Sequence, residues 1–261
     1  QTIHPSHYHK IFDNYTLMLS FKLFYYFHKT LGWGGMIKLG FQLIPDALKL
    51  FRGIPKMVLL VEFNGETSEE VSHKVHAMRE DLEEFGHDAL FEEDETEAKA
   101  KKFWIMRRES FNLLRKKVHD KHTAPFIDDL VVLPKYLPQF LPQLRAIIDK
   151  YKLLATIAGH MGDGNFHVIP LMEIEKESEK AKLQPAMKEV NELVLRYGGS
   201  LSGEHNDGMI RGPWLEQMYG VEVLSLFKQL KQAFDAQNIF NPHKKTDASW
   251  DYTMAHIRQS F

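Results

Sequence analysis

The 261-residue chain contains no cysteine. Disulfides, thiolate metal sites and cysteine-held iron–sulfur clusters are therefore excluded within it, and the same absence points to a reducing compartment, so a cytoplasmic setting is expected. An excess of one charge sign is also lacking. The 33 basic residues stand against 35 acidic ones, for a formal net charge of −2, which leaves no global bias toward nucleic acid. No signal peptide is visible, and the first residue is Gln1 rather than Met, which fits a processed product or a piece of a longer polypeptide. Apolar runs long enough to span a bilayer are missing too. In the most aromatic stretch, Lys22, His28, Lys29 and Lys38 interrupt every window of about 18 residues. What is present is core-forming: 44% hydrophobic residues suffice for one large domain or two small ones.

Two regions differ in character. Residues 1–55 read as an amphipathic helical segment, broken by Gly34-Gly35 and Pro45, in which Lys22, Lys29, Lys38, Lys49 and Arg52 face only Asp46 after residue 14. A basic, aromatic segment such as 10–56 can lie on an anionic membrane surface, which would make the protein peripheral to the inner face of a membrane. Its aromatics can equally pack on the protein itself or on a neighbouring domain, since amphipathic helices usually face cores. From residue 56 to 261 the pattern is regular. KMVLLVEFNG predicts a strand, TSEEVSHKVHAMREDLEEFG a capped amphipathic helix, DALFEED a short strand, and EAKAKKFWIMRRESFNLLRKKVHD a long helix. DDLVVLP predicts a further strand, followed by a helix from Pro138 to Tyr151. Paired strands around GHMGDGNFH come next, then a helix over KLQPAMKEVNELVLRYGG, helices around WLEQMYG and EVLSLFKQLKQAFD, and a loop through NIFNPHKK. Strand–helix–strand thus occurs twice. The expected class is α+β: an antiparallel sheet from two ferredoxin-like half-units with helices on one side, plus helical ends.

Two stretches carry chemistry. In GHMGDGNFH, glycines at alternate positions exclude a helix, and a strand–turn–strand arrangement brings His160 and His167 to one end of a sheet. In SLSGEHNDGMIRGP, Glu204 and His205 sit between glycines. Two histidines and a carboxylate suit zinc, manganese or iron(II) with positions left open for substrate. Neighbours in extended backbone point opposite ways, so Glu204 can bind the ion while His205 faces the reacting carbon as a general base. The plainer reading is that lone histidines, such as His73, His76, His87, His119 and His122, are surface or hydrogen-bonded residues. Asp163 and Asp207, each before a glycine, are ordinary turn formers. Spacing alone leaves both readings of His160, His167 and Glu204 open.

Taken together, GHMGDGNFH, SGEHNDGMIRGP and NIFNPHKK, with FWIMRRES and DDLVVLPKYLPQFL in order, resemble the C-terminal domain of the FAD-linked oxidases, between Lys56 and Lys245. That family includes D-lactate dehydrogenases, the glycolate oxidase flavin subunit and D-2-hydroxyglutarate dehydrogenases. SGEHNDG followed by RGPWLEQMYG is most similar to the branch often fused to iron–sulfur domains. The resemblance implies the substrate- and metal-binding half of a flavin-dependent D-2-hydroxy-acid dehydrogenase. An FAD-binding domain, which this chain lacks, would hold most of the FAD. It implies His160, His167 and Glu204 as ligands of a divalent metal (zinc, manganese or iron), and His205 as proton acceptor. Arg107, rather than its neighbour Arg108, would pair with the substrate carboxylate, and Asn165, Asn241 and Glu204 would lie at the cofactor edge. Electrons would leave to a quinone, an electron-transfer flavoprotein or an iron–sulfur protein. Two positions depart from the family pattern. Asn206 stands where glycine is usual after the Glu-His pair. Phe126, Ile127 and Asp128 occupy the approach where enzymes acting on D-2-hydroxyglutarate carry a lysine, which favours a monocarboxylate such as D-lactate. The rival readings are a metal-dependent hydrolase and a non-catalytic module that binds metal or a partner.

Overall fold

β-Branched and aromatic residues favour a pleated ladder, and the first strands of the fold, YHKIFD and MVLLVE, contain them. The computed structural model describes residues 8–13, 57–84 and 121–257. Chain contacts divide the protein into two compact units, residues 1–117 and 118–261.

In the first unit, β1 (Tyr8–Asp13) pairs antiparallel with β2 (Met57–Glu62), with Tyr8 opposite Glu62 and Asp13 opposite Met57. A strand at Tyr8–Asp13 was not expected at the start of the 1–55 amphipathic helical segment. A six-residue stretch paired along its whole length gains ladder hydrogen bonds that a marginal isolated helix cannot match. Helix α1 (Ser68–Glu84) starts where its cap predicts. The Thr67 hydroxyl accepts the Glu70 N–H at 3.2 Å, and the Glu70 carboxylate reaches back to the N–H of Glu66 at 3.0 Å. The rest of the 1–55 segment, the expected strand over DALFEED and the long helix carrying Arg107 and Arg108 lie outside the described residues.

The second unit is built on a hairpin. β5 (Leu154–His160) pairs with β6 (Asn165–Met172), β3 (His122–Thr123) and β4 (Leu130–Val131) both pair with β6, and all these pairings are antiparallel. β5 and β6 run in register from Leu154 opposite Leu171 to His160 opposite Asn165. Their turn closes at Gly164, where φ is +69° and an added Cβ would fall 1.9 Å from the Val132 carbonyl oxygen. Only glycine fits both demands. β4 is shorter than DDLVVLP suggested, because Asp129 adopts a left-handed φ of 66° just before it. Helix α2 (Leu137–Lys150) buries Leu137, Phe140, Leu144 and Ile148, one helical stripe. Helix α3 (Leu183–Arg196) buries Leu183, Ala186, Met187, Val190 and Val194 against it. With Phe166 and Val168 of β6 these residues form one apolar cluster, in which each large side chain contributes about 1.5–3 kcal/mol by leaving water. The class is therefore α+β, as expected.

Helix α4 (Leu215–Phe234) is interrupted at Gly220, with φ 81° and ψ 164°, which reproduces the two helical pieces expected around Gly220. A last short helix, α5 (Trp250–Ala255), was not anticipated. It is capped by Ser249, whose hydroxyl accepts the Tyr252 N–H at 3.2 Å. Among the described residues no helix is long and apolar enough to cross a membrane.

Candidate metal and catalytic site

The short strand β4 is the hub of the site. On one side it pairs with β6 at Phe166 and Asn165. On the other, Val131 and Ser200 exchange backbone hydrogen bonds, each 2.9 Å long. Three segments therefore meet at one end of the sheet: the hairpin tip with His160 and His167, the Asp128-Asp129 pair, and the loop 200–206.

Asp129 fixes that loop. Its fully buried carboxylate accepts the backbone N–H groups of Gly203 at 2.8 Å, Glu204 at 3.0 Å and His205 at 2.9 Å, together with the Ser202 hydroxyl at 3.1 Å and the Asn165 side-chain amide at 3.0 Å. Burial alone would raise this carboxyl. The N–H groups of Glu204 and His205, the Asn165 amide and the Gly203 N–H outweigh burial and hold its pKa at about 2. Gly203 must stay small, since a Cβ there would meet the Asn165 amide nitrogen at 2.4 Å.

Because three consecutive N–H groups curl around one carboxylate, the backbone at Glu204 and His205 is not extended. The expectation that their side chains diverge is corrected accordingly: His205 Nε2 lies 3.6 Å from Glu204 Oε1. The same oxygen lies 3.1 Å from His167 Nε2 and 3.7 Å from His160 Nε2, so three imidazoles converge on one carboxylate oxygen. Behind them, the buried Asp128 places Oδ1 3.1 Å from His167 Nδ1 and Oδ2 3.1 Å from His205 Nδ1. Burial pulls the His167 imidazole down, but the hydrogen bond and charge of Asp128, with the charges of Glu204 and Asp129, hold its pKa above the ordinary value.

Ring orientation decides which imidazoles can share an ion, because each Nε2 lone pair lies in its ring plane. The rings of His160 and His167 stand at 87° with centroids 5.9 Å apart. The rings of His167 and His205 are stacked at 15° and 4.8 Å, and parallel lone pairs do not meet on one ion. Ligand atoms of Asp129, His167, Glu204 and His205 also lie within 4.8 Å of one another. Asp129 is already committed to its five donors, however, and His205 is the stacked ring. Of the expected ligands, His167 and Glu204 stand in that group, and His160 adjoins it through the Glu204 oxygen, 3.7 Å from His160 Nε2.

The other residues singled out from sequence fall in different places. Asn165 is buried beneath the loop, its amide given to Asp129 and its Oδ1 without a partner, rather than at an open cofactor edge. Asn241 lines a cleft of about 860 Å³ together with His205, Tyr219, Phe234 and Phe240. Asn206 has a φ of 69°, a conformation asparagine tolerates, and its side-chain oxygen accepts the Asp207 N–H at 2.7 Å. Arg107 and Arg108 are outside the described residues. Sequence reasoning missed Asp128, Asp129 and Arg211. Arg211 is buried and donates to the Asn206 carbonyl at 2.7 Å and the Asp128 carbonyl at 3.2 Å. The available signal was a pair of acidic residues heading an apolar strand, a poor place for charge without buried partners.

The profile of the family described as FAD linked oxidases, C-terminal domain, matches residues 34–245. The chain is 34% identical to D-2-hydroxyglutarate dehydrogenase of Pseudomonas putida over 71% of its own length and 18% of that protein. It is 30% identical to glycolate oxidase subunit GlcD of Bacillus subtilis over 77% of its length and 42% of that protein. It is also 30% identical to the mitochondrial D-lactate dehydrogenase [cytochrome] of Arabidopsis thaliana, over 61% of its length and 27% of that protein. The chain thus spans less than half the length of each of these three relatives.

Proposed function

The chain belongs to the C-terminal domain family of the FAD-linked oxidases, and from that premise we propose that it is the substrate- and metal-binding half of a flavin-dependent dehydrogenase that converts a D-2-hydroxy acid to the 2-oxo acid. The observation that carries this reading is the meeting of His160, His167 and Glu204 side-chain donors beside a separate imidazole, His205.

In this reading His160, His167 and Glu204 would hold a divalent ion (zinc, manganese or iron), which would supply Lewis acidity toward a substrate hydroxyl. FAD, held mainly by a partner domain, supplies the hydride acceptor. His205 accepts the substrate hydroxyl proton on Nε2, since its Nδ1 is turned to Asp128. Arg107 pairs with the substrate carboxylate. Phe126, Ile127 and Asp128, which occupy the approach where a lysine would meet a second substrate carboxylate, are buried, and none of the three is a cation, which favours a D-lactate-like monocarboxylate. The cleft that joins His205 to Asn241 supports closure of the flavin-bearing domain over this face.

Metal content tests the reading. The purified chain loaded with zinc and desalted should retain a single equivalent, and His160→Ala should lose most of it. Equal retention by both proteins would remove the ligand assignment.

A further inference from the structure

Asp128 has no role in the reading above, yet both of its carboxylate oxygens are spent on imidazoles: Oδ1 on His167 Nδ1 and Oδ2 on His205 Nδ1, each at 3.1 Å. The two rings it serves are stacked at 4.8 Å. The residue is buried, and its backbone is pinned by the Arg211 guanidinium, which donates to the Asp128 carbonyl at 3.2 Å. Neither oxygen therefore has an alternative solvent partner of equal quality. Asp128 sits just before β4, whose register with β6 is set at Phe166 and Asn165. The carboxylate consequently cannot slide without dragging the hub of the site.

We propose that Asp128 is the positioning residue that sets the tautomer of both imidazoles at once, locking His167 and His205 as Nδ1–H and presenting their Nε2 lone pairs to the site. An ionised carboxylate is acceptor-only, so each oxygen demands a hydrogen from the nitrogen facing it. Two acceptors in one rigid group therefore force the same tautomer on two residues of different roles. The inference rests on the reading of His167 as a ligand and His205 as the base. It adds that one side chain couples them: neither ring can turn over without breaking the shared bridge. Partners of this kind behind a ligating histidine tune its orientation and basicity.

The side chain that separates this from mere packing is asparagine. It has the shape of aspartate but offers one acceptor and one donor, so Asp128→Asn can satisfy one ring as Nδ1–H only by driving the other to Nε2–H. The test is long-range proton–nitrogen NMR on the metal-free, nitrogen-15-labelled chain at about pH 9, where imidazoles are largely neutral. Signals are assigned with His167→Gln and His205→Gln, and zinc affinity is measured by competition with a chelating dye. In the unaltered chain both rings should be Nδ1–H. In Asp128→Asn one should switch to Nε2–H, with zinc affinity down roughly 10–100-fold and the melting temperature nearly unchanged. An Nε2–H tautomer at either ring of the unaltered chain overturns the inference whether or not the variant folds. So do unchanged tautomers in a folded variant. If the unaltered chain binds no zinc but the tautomers switch, the role of Asp128 stands and the metal reading fails, because the tautomers are read without metal.

Discussion

Asp129 shows how one residue links folding to ionisation. Its carboxylate is buried with three loop N–H groups, a hydroxyl and an amide, and its folded pKa of about 2 lies below the ordinary 3.8. Folding therefore favours the ionised form. The stability this contributes is complete above about pH 4 and is lost as the pH falls through about 2; a displacement of this size corresponds to about 2 kcal/mol. Urea unfolding of the unaltered chain and of Asp129→Asn should show a gap in stability that narrows by about that amount between pH 5 and pH 2. A gap independent of pH would mean that the carboxylate titrates alike in both states. The neighbouring Asp128 differs because its partners are imidazoles rather than backbone, so its substitution should alter the chemistry of the site more than the fold.

Among the elements, the β5–β6 hairpin depends most on a single position. Gly164 combines a left-handed φ with a Val132 carbonyl where a Cβ would lie, and β4 hangs on the same tip through the Val132 N–H, which donates to the Gly164 carbonyl at 2.9 Å. Gly164→Ala should cost at least about 1–3 kcal/mol in denaturant unfolding and weaken zinc retention with it; a loss under about 0.5 kcal/mol would show that the turn relaxes freely. This hairpin was legible in the sequence because apolar alternation and a glycine turn are local signals. Helices α2 and α3 were legible for the same reason, through their buried stripes. β1 was not, since its conformation comes from pairing with a strand more than forty residues away. The divergent geometry assumed for Glu204 and His205 failed because Asp129, distant in sequence, bends their backbone. The segments carrying His160, His167 and Glu204 stood out in the sequence, although spacing alone left their role open, whereas the two carboxylates behind them did not, because buried acids reveal their partners only in three dimensions.

For the whole molecule, the face beside the site is the informative one. Leu226, Leu230 and Phe234 along α4 are 60%, 61% and 84% exposed, and Ile239 and Phe240 in the following loop are 64% and 68% exposed. Exposed apolar patches of this kind mark interaction surfaces, in keeping with a chain that spans less than half of each of the three relatives named. The stripe has a consequence for how the protein behaves in the test tube. A hydrophobic dye such as anilinonaphthalene sulfonate should fluoresce with the fully folded chain, a signal usually taken to mark a molten globule. Near-ultraviolet circular dichroism should meanwhile report fixed aromatic packing, and Phe234→Ser together with Leu230→Ser should quench the dye signal while leaving that spectrum in place. Loss of the near-ultraviolet bands in the unaltered chain would trace the dye to loosened packing instead, whereas their persistence would make dye binding the measure of a built surface rather than of a folding defect.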